Sequence, residues 1–386
     1  SRIGPTGRHI GVPGRRRLAR EMIAGDRSRD SRVPAGYTYL GQFVDHDLTF
    51  DKTRLDPAGG VSLDQIRSGR SPSLDLDSLY GLGPAATPEF YRRGGTRLRT
   101  GPAGAGRRRE FDLPRTRGAA SIPDPRNDEN LAVAQTHLAM IRFHNRVADR
   151  LAAEGVPAGE LFARARDTVV RHYQWMLRTD FLPRVVHASI VNSVFAQGRR
   201  VVEPDATPGS EATMPLEFSV AAFRFGHSMV RADYDWNAVF PDATLLDLFT
   251  FSGSSGSVSE DNPVPTVWAA DWRRLYDFRE AGRRDLVSPM ARGVPNRARR
   301  IDTLLTDPLA ELGNKTLGGR PPNRDHRNLA FRNLSRARML DLADGRQMAA
   351  HMRTRGLRTR ALPTRTLRAG NRGANLEKLN PTQRDF

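Results

Sequence analysis

A short apolar segment near the start of the chain carries four side chains that can exchange protons or bind cations. The segment GQFVDHDLTFD, residues 41–51, contains Gln42, Asp45, His46 and Asp47. Histidine accepts and releases protons near neutral pH, and carboxylates bind hard cations. If the segment is helical, Gln42 and His46 share one face, and Asp47 is rotated from His46 by about 100°. The spacing favours one helix that serves two sites, although a solvated turn, a weak metal site or a structural histidine fits the same residues.

A second polar segment has the residue types of a calcium site. In SPSLDLDSLYG, the oxygen-bearing residues Ser71, Ser73, Asp75 and Asp77 occupy alternate positions. Calcium binds about six to eight oxygens from carboxylates, hydroxyls and carbonyl groups. The segment lacks the glycine and the terminal glutamate of an EF-hand, and a polar turn is the alternative. We predict a calcium site here, to which Asp47 contributes a further carboxylate.

Two further motifs combine charge or a titratable ring with a predicted helix. In DPRNDEN, Arg126 and Glu129 stand at the entrance of the helix that follows, where simple first-turn charge pairing is the alternative. In FRFGHSM, His227 lies in an apolar stripe beside Gly226, and glycine allows a flat group to approach the helix closely. A buried histidine needs a partner for each ring nitrogen, and an iron and an amide oxygen would satisfy both.

Apolar residues at helical spacing predict the helices that must position these residues. Apolar residues repeat at helical spacing over residues 130–155, 162–176, 214–230 and 329–352. The third of these stretches is predicted to place four residues on one face: Phe218, Ala222, Phe225 and Met229. Alternate-residue periodicity is scarce, so the sequence predicts a mainly α fold with little β structure.

The remaining sequence predicts long loops around one domain. Residues 52–125 are rich in glycine, proline and serine and are predicted to form long loops with short helical turns. Residues 1–36 are rich in glycine, arginine and proline and are predicted to be an extended arm. The predicted division is therefore an N-terminal arm over 1–36 and a single domain over 37–386.

The amino-acid composition limits which binding partners and which cellular compartments we expect for the protein. The chain has 386 residues, no cysteine and a formal net charge of +18. Disulfides and thiolate metal sites are excluded, and no apolar run has the length of a membrane span. The charge suggests an anionic partner, but the arginines are spread along the chain without a nucleic-acid-binding motif, which argues against nucleic acid. The oligomeric state stays open, and so does the compartment, with a secreted bacterial protein as the favoured alternative.

The order of the motifs resembles that of the animal-type haem peroxidases, the peroxidase–cyclooxygenase superfamily. The resemblance runs from about residue 36 to about residue 350 and is carried by GQFVDHDLTF, SPSLDLDSLYG, DPRNDEN, RFHNRVADRL, AFRFGHSMV and FRNLSRAR. It implies the single-domain, mainly α peroxidase fold, with haem b and calcium as cofactors. It also implies hydrogen peroxide as a substrate, with small anionic or phenolic electron donors.

The resemblance assigns roles on the distal side of the haem. His46 matches the distal histidine, Gln42 the glutamine beside it and Arg126 the distal arginine. Asp45 and Glu129 match the carboxylates that form ester bonds to haem methyl groups. In this chemistry the histidine moves a proton between the peroxide oxygens, and the guanidinium stabilises the developing negative charge.

The resemblance also assigns the proximal side and the calcium site. His227 matches the ligand of the haem iron, and Asn333 matches the asparagine that accepts a hydrogen bond from it. Arg224 and Arg336 match arginines near the haem propionates. The calcium site is implied to consist of Asp47, Ser71, Ser73, Asp75 and Asp77.

Two departures from the family pattern bear on the reaction. Asn130 occupies the position of a sulfonium-forming methionine, so that haem link is expected to be absent, and bromide, iodide, thiocyanate or phenols are favoured over chloride. Arg224 occupies the position of the radical-forming tyrosine of the fatty-acid oxygenases, which disfavours oxygenase chemistry. The expected function is a haem peroxidase that acts through a ferryl radical intermediate. The alternatives are a haem-binding protein of the same fold with little turnover and a basic nucleic-acid-binding protein.

Overall fold

The computed structural model shows a chain built from helices and long connections. It describes residues 1–386 except 9, 24, 28, 52–59, 67, 104–107, 117–118, 208, 314–323, 360–361, 364, 366–372 and 375–386. The α-helices of this described part are α1 (Val12–Glu21), α2 (Gly36–Leu48), α3 (Asp77–Tyr80), α4 (Leu131–Ala153), α5 (Leu161–Met176), α6 (Leu182–Val185), α7 (Ala188–Gln197), α8 (Gly226–Met229), α9 (Leu245–Thr250), α10 (Leu329–Met339) and α11 (Gly345–Thr354).

The β structure consists of two-stranded antiparallel ribbons. The pairs are β1 (Asp30–Pro34) with β8 (Arg297–Arg299), β2 (Gly101–Ala103) with β3 (Arg108–Asp112), β4 (Arg115–Thr116) with β5 (Ala119–Ala120), and β6 (Asp233–Tyr234) with β7 (Ala243–Thr244). Each ribbon is short, so the prediction of a mainly α fold with little β structure is confirmed.

The stretch predicted to be an extended arm contains a helix, so the prediction was wrong over Val12–Glu21. The helix shows no apolar stripe in the sequence, because an arginine completes its buried face. Arg15 is only 2% exposed, donates from Nη1 to the Ile10 carbonyl at 2.8 Å and lies over the Phe331 ring. Long cationic side chains can bury their aliphatic stems in this way. The division into an arm and a catalytic domain stays a prediction.

The helix that precedes His227 is irregular. Its first turn, Glu217–Ala221, is π-helical, and a 3₁₀ turn, Ala222–Phe225, follows before α8 begins. A π turn accommodates an extra residue and shifts the face that later residues occupy. Ala222 is therefore exposed while Met229 is buried, so the predicted common face does not form.

A buried apolar cluster fixes α2 in the centre of the molecule. Phe43 of α2 packs edge-on against Tyr173 of α5, with ring centroids 6.2 Å apart, and both rings are almost fully buried. Val133 of α4 and Val169 of α5 belong to the same cluster. At its C-terminus α2 ends at Leu48, because Thr49 has extended backbone angles. The last two turns of this tightly packed helix therefore contain Gln42, Asp45, His46 and Asp47.

Buried ion pairs fix the turn that leads into α4. The Arg115 guanidinium donates to Asp112 at 2.9 Å and to Asp128 at 2.7 Å, and all three side chains are buried. Asp128 also accepts a hydrogen bond from the Gly253 amide at 3.0 Å. Asp128 closes the 3₁₀ turn Pro125–Asp128, so Arg115 holds that turn in place.

We expect Arg115→Met to lower the free energy of unfolding by about 3–5 kcal/mol, because it leaves two buried carboxylates without their cation. Urea unfolding followed by circular dichroism measures the change. Arg150→Met is the matched control, since Arg150 pairs with Glu154 on the exposed face of α4 and its loss should leave the unfolding midpoint unchanged. Equal midpoints for the two variants would contradict this account of the turn.

Candidate functional site

His46 is held at one ring nitrogen and open at the other. The ring is 4% exposed, and its Nδ1 lies 2.8 Å from Asn127 Oδ1. Its Nε2 lies 3.9 Å from Glu129 Oε2. Burial and the nearby Arg126 charge lower the pKa of His46 to about 3, so the ring is neutral at physiological pH. A neutral, fixed imidazole with one free nitrogen can act as a base.

Gln42 links the carboxyl group of Glu129 to the start of α4. Its Nε2 donates to Glu129 Oε2 at 3.4 Å, and its Oε1 accepts from Asn130 Nδ2 at 2.9 Å. Asn130 also caps α4, because its Oδ1 accepts from the Val133 amide at 2.9 Å. The structure therefore brings Gln42, His46 and Glu129 together.

Arg126 is fixed at the C-terminal end of α2. Its Nη2 donates to the His46 carbonyl at 3.0 Å and also to the Thr49 carbonyl. Asp124 accepts from the Arg126 Nε at 3.0 Å and from Nη2 at 2.7 Å. Burial alone would raise the pKa of Asp124, but the Arg126 guanidinium outweighs burial and holds that pKa well below its usual range. Arg126 is thus a fixed cation beside the His46 backbone.

Two carboxyl groups of the site have raised pKa values. Burial raises the pKa of Glu129 to about 8, although Arg126 opposes the shift. Burial also raises the pKa of Asp45, against the charges of Arg126 and Arg224. Asp45 Oδ1 accepts a hydrogen bond from Thr49 Oγ1 at 3.3 Å. Both groups therefore hold a proton more tightly than an exposed carboxyl group does.

On the other side of the site, α8 and α10 bring His227 and Asn333 together. Asn333 Nδ2 lies 2.9 Å from His227 Nδ1, and Asn333 Oδ1 accepts from Arg224 Nη1 at 3.0 Å. The sequence predicted that the asparagine oxygen would face the histidine. The structure turns the amide the other way, because Arg224 binds the oxygen. Burial and the Arg224 charge lower the pKa of His227 to about 3, which leaves a neutral ring.

The two predicted propionate arginines differ in their contacts. Arg336 Nη1 lies 3.5 Å from Asp51 Oδ2. Arg224 Nε is buried and has no hydrogen-bond partner among the residues that the structure describes. Burial, with a contribution from the Arg336 charge, lowers the pKa of Arg224. A buried guanidinium nitrogen without an acceptor fits a site that receives a carboxylate group.

The groups around His46 and the groups around His227 share one electrostatic environment. Arg126 and Arg224 both act on the pKa of Asp45. Arg332, from α10, acts on the pKa of Glu129. The α2 carboxyl group, the start of α4 and the helices α8 and α10 therefore converge on the same region.

Three carboxylates form a separate cluster behind α2. Oxygens of Asp47, Asp75 and Asp77 all lie within 4.8 Å of one another. Asp75 Oδ1 and Asp77 Oδ1 are buried and accept no hydrogen bond from the described residues, although Arg70 Nε lies 3.7 Å from Asp77 Oδ1. Three carboxylates this close repel one another unless a cation or a proton intervenes. Buried oxygens that lack donors fit the ligands of a hard cation.

The loop around these carboxylates has an unusual backbone. Leu74 and Leu76 have φ angles of 55° and 60°, a region that side chains other than glycine seldom adopt. Burial and the charges of Asp77 and Asp75, against hydrogen bonds from Ser78, raise the pKa of Asp47 to about 7. The strained backbone angles of Leu74 and Leu76 can persist where other contacts, or a ligand, determine the loop conformation.

The two predicted serine ligands lie beside the cluster. The Ser71 amide donates to Asp77 Oδ2 at 3.0 Å, and the Ser73 amide donates to Ser71 Oγ at 3.2 Å. The three aspartates are thus brought together as predicted, and the serines support the loop that carries two of them.

Sequence reasoning missed Asp124, Asn127 and His137. Asn127 Nδ2 lies 2.9 Å from His137 Nδ1, which extends the His46–Asn127 contact to a second buried histidine. Asp124 joins Arg126 to Arg70, whose Nη2 donates to it at 2.8 Å. Asp124 and Asn127 were visible inside DPRNDEN, but Arg70 is 54 residues from Asp124 and His46 is 81 residues from Asn127. No local pattern identifies these two contacts.

Comparison with known proteins supplies the family. A family model described as animal haem peroxidase matches residues 65–338. The chain belongs to the animal haem peroxidase family. The predicted resemblance is therefore confirmed. The match begins after α2, so the roles of Gln42, Asp45 and His46 rest on their geometry.

The relatives are much longer proteins. Thyroid peroxidase of Sus scrofa is 26% identical over 272 residues, which cover 64% of this chain and 27% of the relative. Peroxidasin homolog pxn-1 of Caenorhabditis elegans is 23% identical over 296 residues, which cover 57% of this chain and 23% of the relative. Heme peroxidase 2 of the same organism is 28% identical over 114 residues, which cover 29% of this chain and 16% of the relative. The chain thus spans about a quarter or less of the length of these relatives.

Solved structures share the fold. Peroxidase A from Dictyostelium discoideum matches with a TM-score of 0.58 and 17% identity, over 100% of this chain and 76% of that one. A fatty acid alpha-dioxygenase from Arabidopsis thaliana matches with a TM-score of 0.56 and 13% identity, over 90% of this chain and 60% of that one. At these identities the similarity shows the fold. Across the described residues, every helix is too short or too polar to cross a membrane.

The raised pKa of Glu129 predicts a pH-dependent stability of the haem-free chain. The folded protein keeps this proton up to about pH 8, whereas the unfolded chain releases it near the ordinary value of 4.5. Between these limits folding takes up a proton, so the free energy of unfolding falls as pH rises, by about 1.4 kcal/mol per pH unit from this group. We expect Glu129→Gln to remove this contribution.

Urea unfolding of both proteins at about pH 5 and about pH 8 measures the effect. The stability of Glu129→Gln relative to the unsubstituted chain should be greater at the higher pH. A difference that stays constant with pH would show that the Glu129 carboxyl ionises normally in the fold.

Proposed function

We propose that the protein is a haem-dependent peroxidase that reduces hydrogen peroxide and oxidises small anionic or phenolic donors. The observation that carries this proposal is the arrangement of two neutral histidines, His46 buried and His227 half-buried, around one charge cluster. His46 Nε2 lies 3.9 Å from Glu129 Oε2, and His227 Nδ1 lies 2.9 Å from Asn333 Nδ2. The charge of Arg224 lowers the pKa of His227 and opposes the rise in the pKa of Asp45, so Arg224 lies near both sides of the site. Membership of the animal haem peroxidase family supports haem as the group between them.

The residues of the site fit a haem group. His227 would bind the iron through Nε2, and Asp45 and Glu129 would attach to haem methyl groups. The buried Arg224 Nε, which has no acceptor among the described residues, would bind a propionate, with Arg336 beside it. Iron binding through Nε2 would leave the proton on Nδ1, which then needs an acceptor. The Asn333 oxygen binds Arg224 Nη1 in the structure, so the amide would have to turn over and release that nitrogen when haem binds.

The chain's own residues move the proton and hold the charge. The haem supplies the electrons that peroxide takes up when its O–O bond breaks. His46 Nε2 accepts a proton from one peroxide oxygen and delivers it to the other, which leaves as water. The Arg126 guanidinium, fixed by Asp124, stabilises the negative charge that develops on the departing oxygen. Gln42 orients the Glu129 carboxyl beside Nε2.

Asp45 and Glu129 would hold the haem covalently, each through an ester bond between one carboxyl oxygen and a haem methyl carbon. Hydrogen peroxide would be the oxidant: it would take up the two electrons and two protons released by each bond and become water. The pKa values of Asp45 and Glu129 are both raised. Each carboxyl group accepts one side-chain hydrogen bond, from Thr49 and from Gln42 respectively. These observations support both groups as candidates for the links.

The donor is proposed to be bromide, iodide, thiocyanate or a phenol. The net charge of +18 favours the approach of anions. Asn130 is committed to capping α4 and to Gln42, so it forms no link to the haem of the kind that a methionine would supply. Arg224 stands where a radical-forming tyrosine would be needed for fatty-acid oxygenation, which favours peroxidase over oxygenase chemistry.

We propose that Asp47, Asp75 and Asp77 bind calcium. Two observations support this proposal. Oxygens of the three aspartates lie within 4.8 Å of one another, and the buried Oδ1 atoms of Asp75 and Asp77 have no hydrogen-bond donor in the part of the chain that the structure describes. Asp47 follows His46 directly in α2, so a bound ion would fix the end of the helix that carries the distal histidine.

The haem proposal is tested with the purified, haem-reconstituted protein. We expect a Soret band that shifts when hydrogen peroxide is added. His46→Ala should bind haem but react with peroxide about 10²–10⁴ times more slowly, because the base is lost. His227→Ala should lose the native Soret band. Stopped-flow absorbance measures both.

His172→Ala is the matched control, because His172 is an exposed histidine on α5. It should react like the unsubstituted protein. A His46→Ala protein that reacts at the full rate would favour the alternative in which the fold binds haem with little turnover. Salt-sensitive binding of nucleic acid without haem uptake would favour the other alternative.

Removal of calcium should destabilise the protein. At a calcium concentration about a hundredfold above Kd, binding stabilises the fold by about 2.7 kcal/mol, which raises the melting temperature relative to a chelator-treated sample. Asp75→Asn should reduce this calcium-dependent shift, whereas Asp167→Asn, on the exposed face of α5, should not. Differential scanning calorimetry measures the shift, and an equal shift in both variants would exclude this cluster as the site.

A further inference from the structure

A chain of three buried side chains runs from His46 into the interior. His46 Nδ1 lies 2.8 Å from Asn127 Oδ1, and Asn127 Nδ2 lies 2.9 Å from His137 Nδ1. Asn127 and His137 are both 0% exposed. Asn127 comes from the 3₁₀ turn before α4, and His137 from the second turn of α4. The Asn127 amide thus links α2, the 3₁₀ turn before α4, and α4 itself.

The two ends of the amide dictate where each ring carries its proton. An asparagine side chain accepts at its oxygen and donates at its nitrogen. A neutral imidazole has one N–H group and one lone pair. With the oxygen facing His46, that ring carries its proton on Nδ1 and its lone pair on Nε2. With the nitrogen facing His137, that ring accepts at Nδ1 and carries its proton on Nε2.

Only this orientation suits a histidine that gains and loses a proton at Nε2. If the amide were turned over, its N–H would face His46 Nδ1, and the His46 proton would have to lie on Nε2. The ring would then have no lone pair for a peroxide proton. When His46 accepts a proton, both of its nitrogens become donors, and the oxygen end of Asn127 still matches Nδ1. The same contact therefore serves both protonation states.

His137 faces the nitrogen end of the amide. In this orientation its Nδ1 accepts from Asn127 Nδ2, and Phe43 packs edge-on against the ring with centroids 5.7 Å apart. His137 Nε2 is buried and has no hydrogen-bond partner among the described residues. The hydrogen bond from the amide nitrogen therefore requires that His137 carries its proton on Nε2.

We propose that Asn127, held by His137, is a positioning residue that fixes the tautomer of His46 so that Nε2 is the base. This inference rests on the proposed peroxidase function. It assigns a role to two residues that neither contact the substrate nor bind the haem.

Four variants of the haem-reconstituted protein test the proposal. Asn127→Leu keeps the volume and removes both hydrogen bonds. Asn127→Asp keeps an oxygen acceptor for His46 Nδ1, and its second oxygen can accept from His137. His137→Phe keeps a ring and frees the amide nitrogen. His144→Phe is the matched control, because His144 is a buried histidine on the same helix that contacts Tyr80 and the Thr96 carbonyl instead.

Two reactions are followed at the Soret band by stopped flow. Hydrogen peroxide and hydrogen cyanide must each give a proton to the distal base, but cyanide has no O–O bond to break. We expect Asn127→Leu to slow both reactions by about 100-fold, while KM for the electron donor stays the same. Asn127→Asp should react close to the unsubstituted rate, His137→Phe should be intermediate, and His144→Phe should be unchanged.

The outcomes separate the two proposals. If the unsubstituted protein reacts and Asn127→Leu is equally fast, or if Asn127→Asp and Asn127→Leu are equally slow, the positioning role is overturned and the peroxidase function stands. If the unsubstituted protein neither binds haem nor reacts with peroxide, the peroxidase function falls and this inference falls with it. Rescue by Asn127→Asp supports the inference, because a residue that only fills space would be replaced better by leucine.

Discussion

The carboxylate of Asp124 lies between two guanidiniums and joins three segments that are far apart in the sequence. It is 0% exposed and accepts hydrogen bonds from Arg70 at 2.8 Å and from Arg126 at 2.7 Å. Both guanidiniums also lie over the ring of Phe50, just past the end of α2. Arg70 directly precedes the loop with the clustered aspartates, and Arg126 binds the last turn of α2. Loss of one partner from such a buried set leaves an uncompensated charge, so the geometry of both sites depends on this carboxylate.

Burial, more than pairing, sets the charges inside the site. It keeps the rings of His46 and His227 neutral and raises the pKa values of Asp45 and Glu129. Arg126 remains charged because Asp124 is beside it. When a proton is transferred and negative charge builds up, the reaction requires a neutral base beside a fixed cation. In this arrangement neither group has to be desolvated during the reaction.

Local patterns in the sequence located the helices and the chemical groups but not the contacts among them. The spacing in α2 placed Gln42 and His46 on one face, and the alternation in the acidic loop placed two aspartates near Asp47. Family resemblance then gave the fold and paired His227 with Asn333. Each of these signals is carried by residues close together in the chain or by a shared order of motifs.

What the sequence did not reveal depends on contacts between distant segments. The partner of Asn127 is defined only when the 3₁₀ turn, α2 and α4 are packed together. The orientation of the Asn333 amide depends on Arg224, more than a hundred residues earlier in the chain. The helix α1 was missed because Arg15 occupies an inward position that hydrophobic patterning assigns to an apolar residue.

The π turn at Glu217–Ala221 has a consequence for how the proximal side could change over time. A π turn holds one residue more than an α-helical turn, and each residue rotates the following helix by about 100°. Loss or gain of a single codon in this turn would therefore leave the helix intact and swing a different side chain toward Asn333. A point substitution would change the side chain of the residue that faces Asn333. An insertion or deletion in the π turn would instead bring a different residue of the chain to face Asn333 in one evolutionary step.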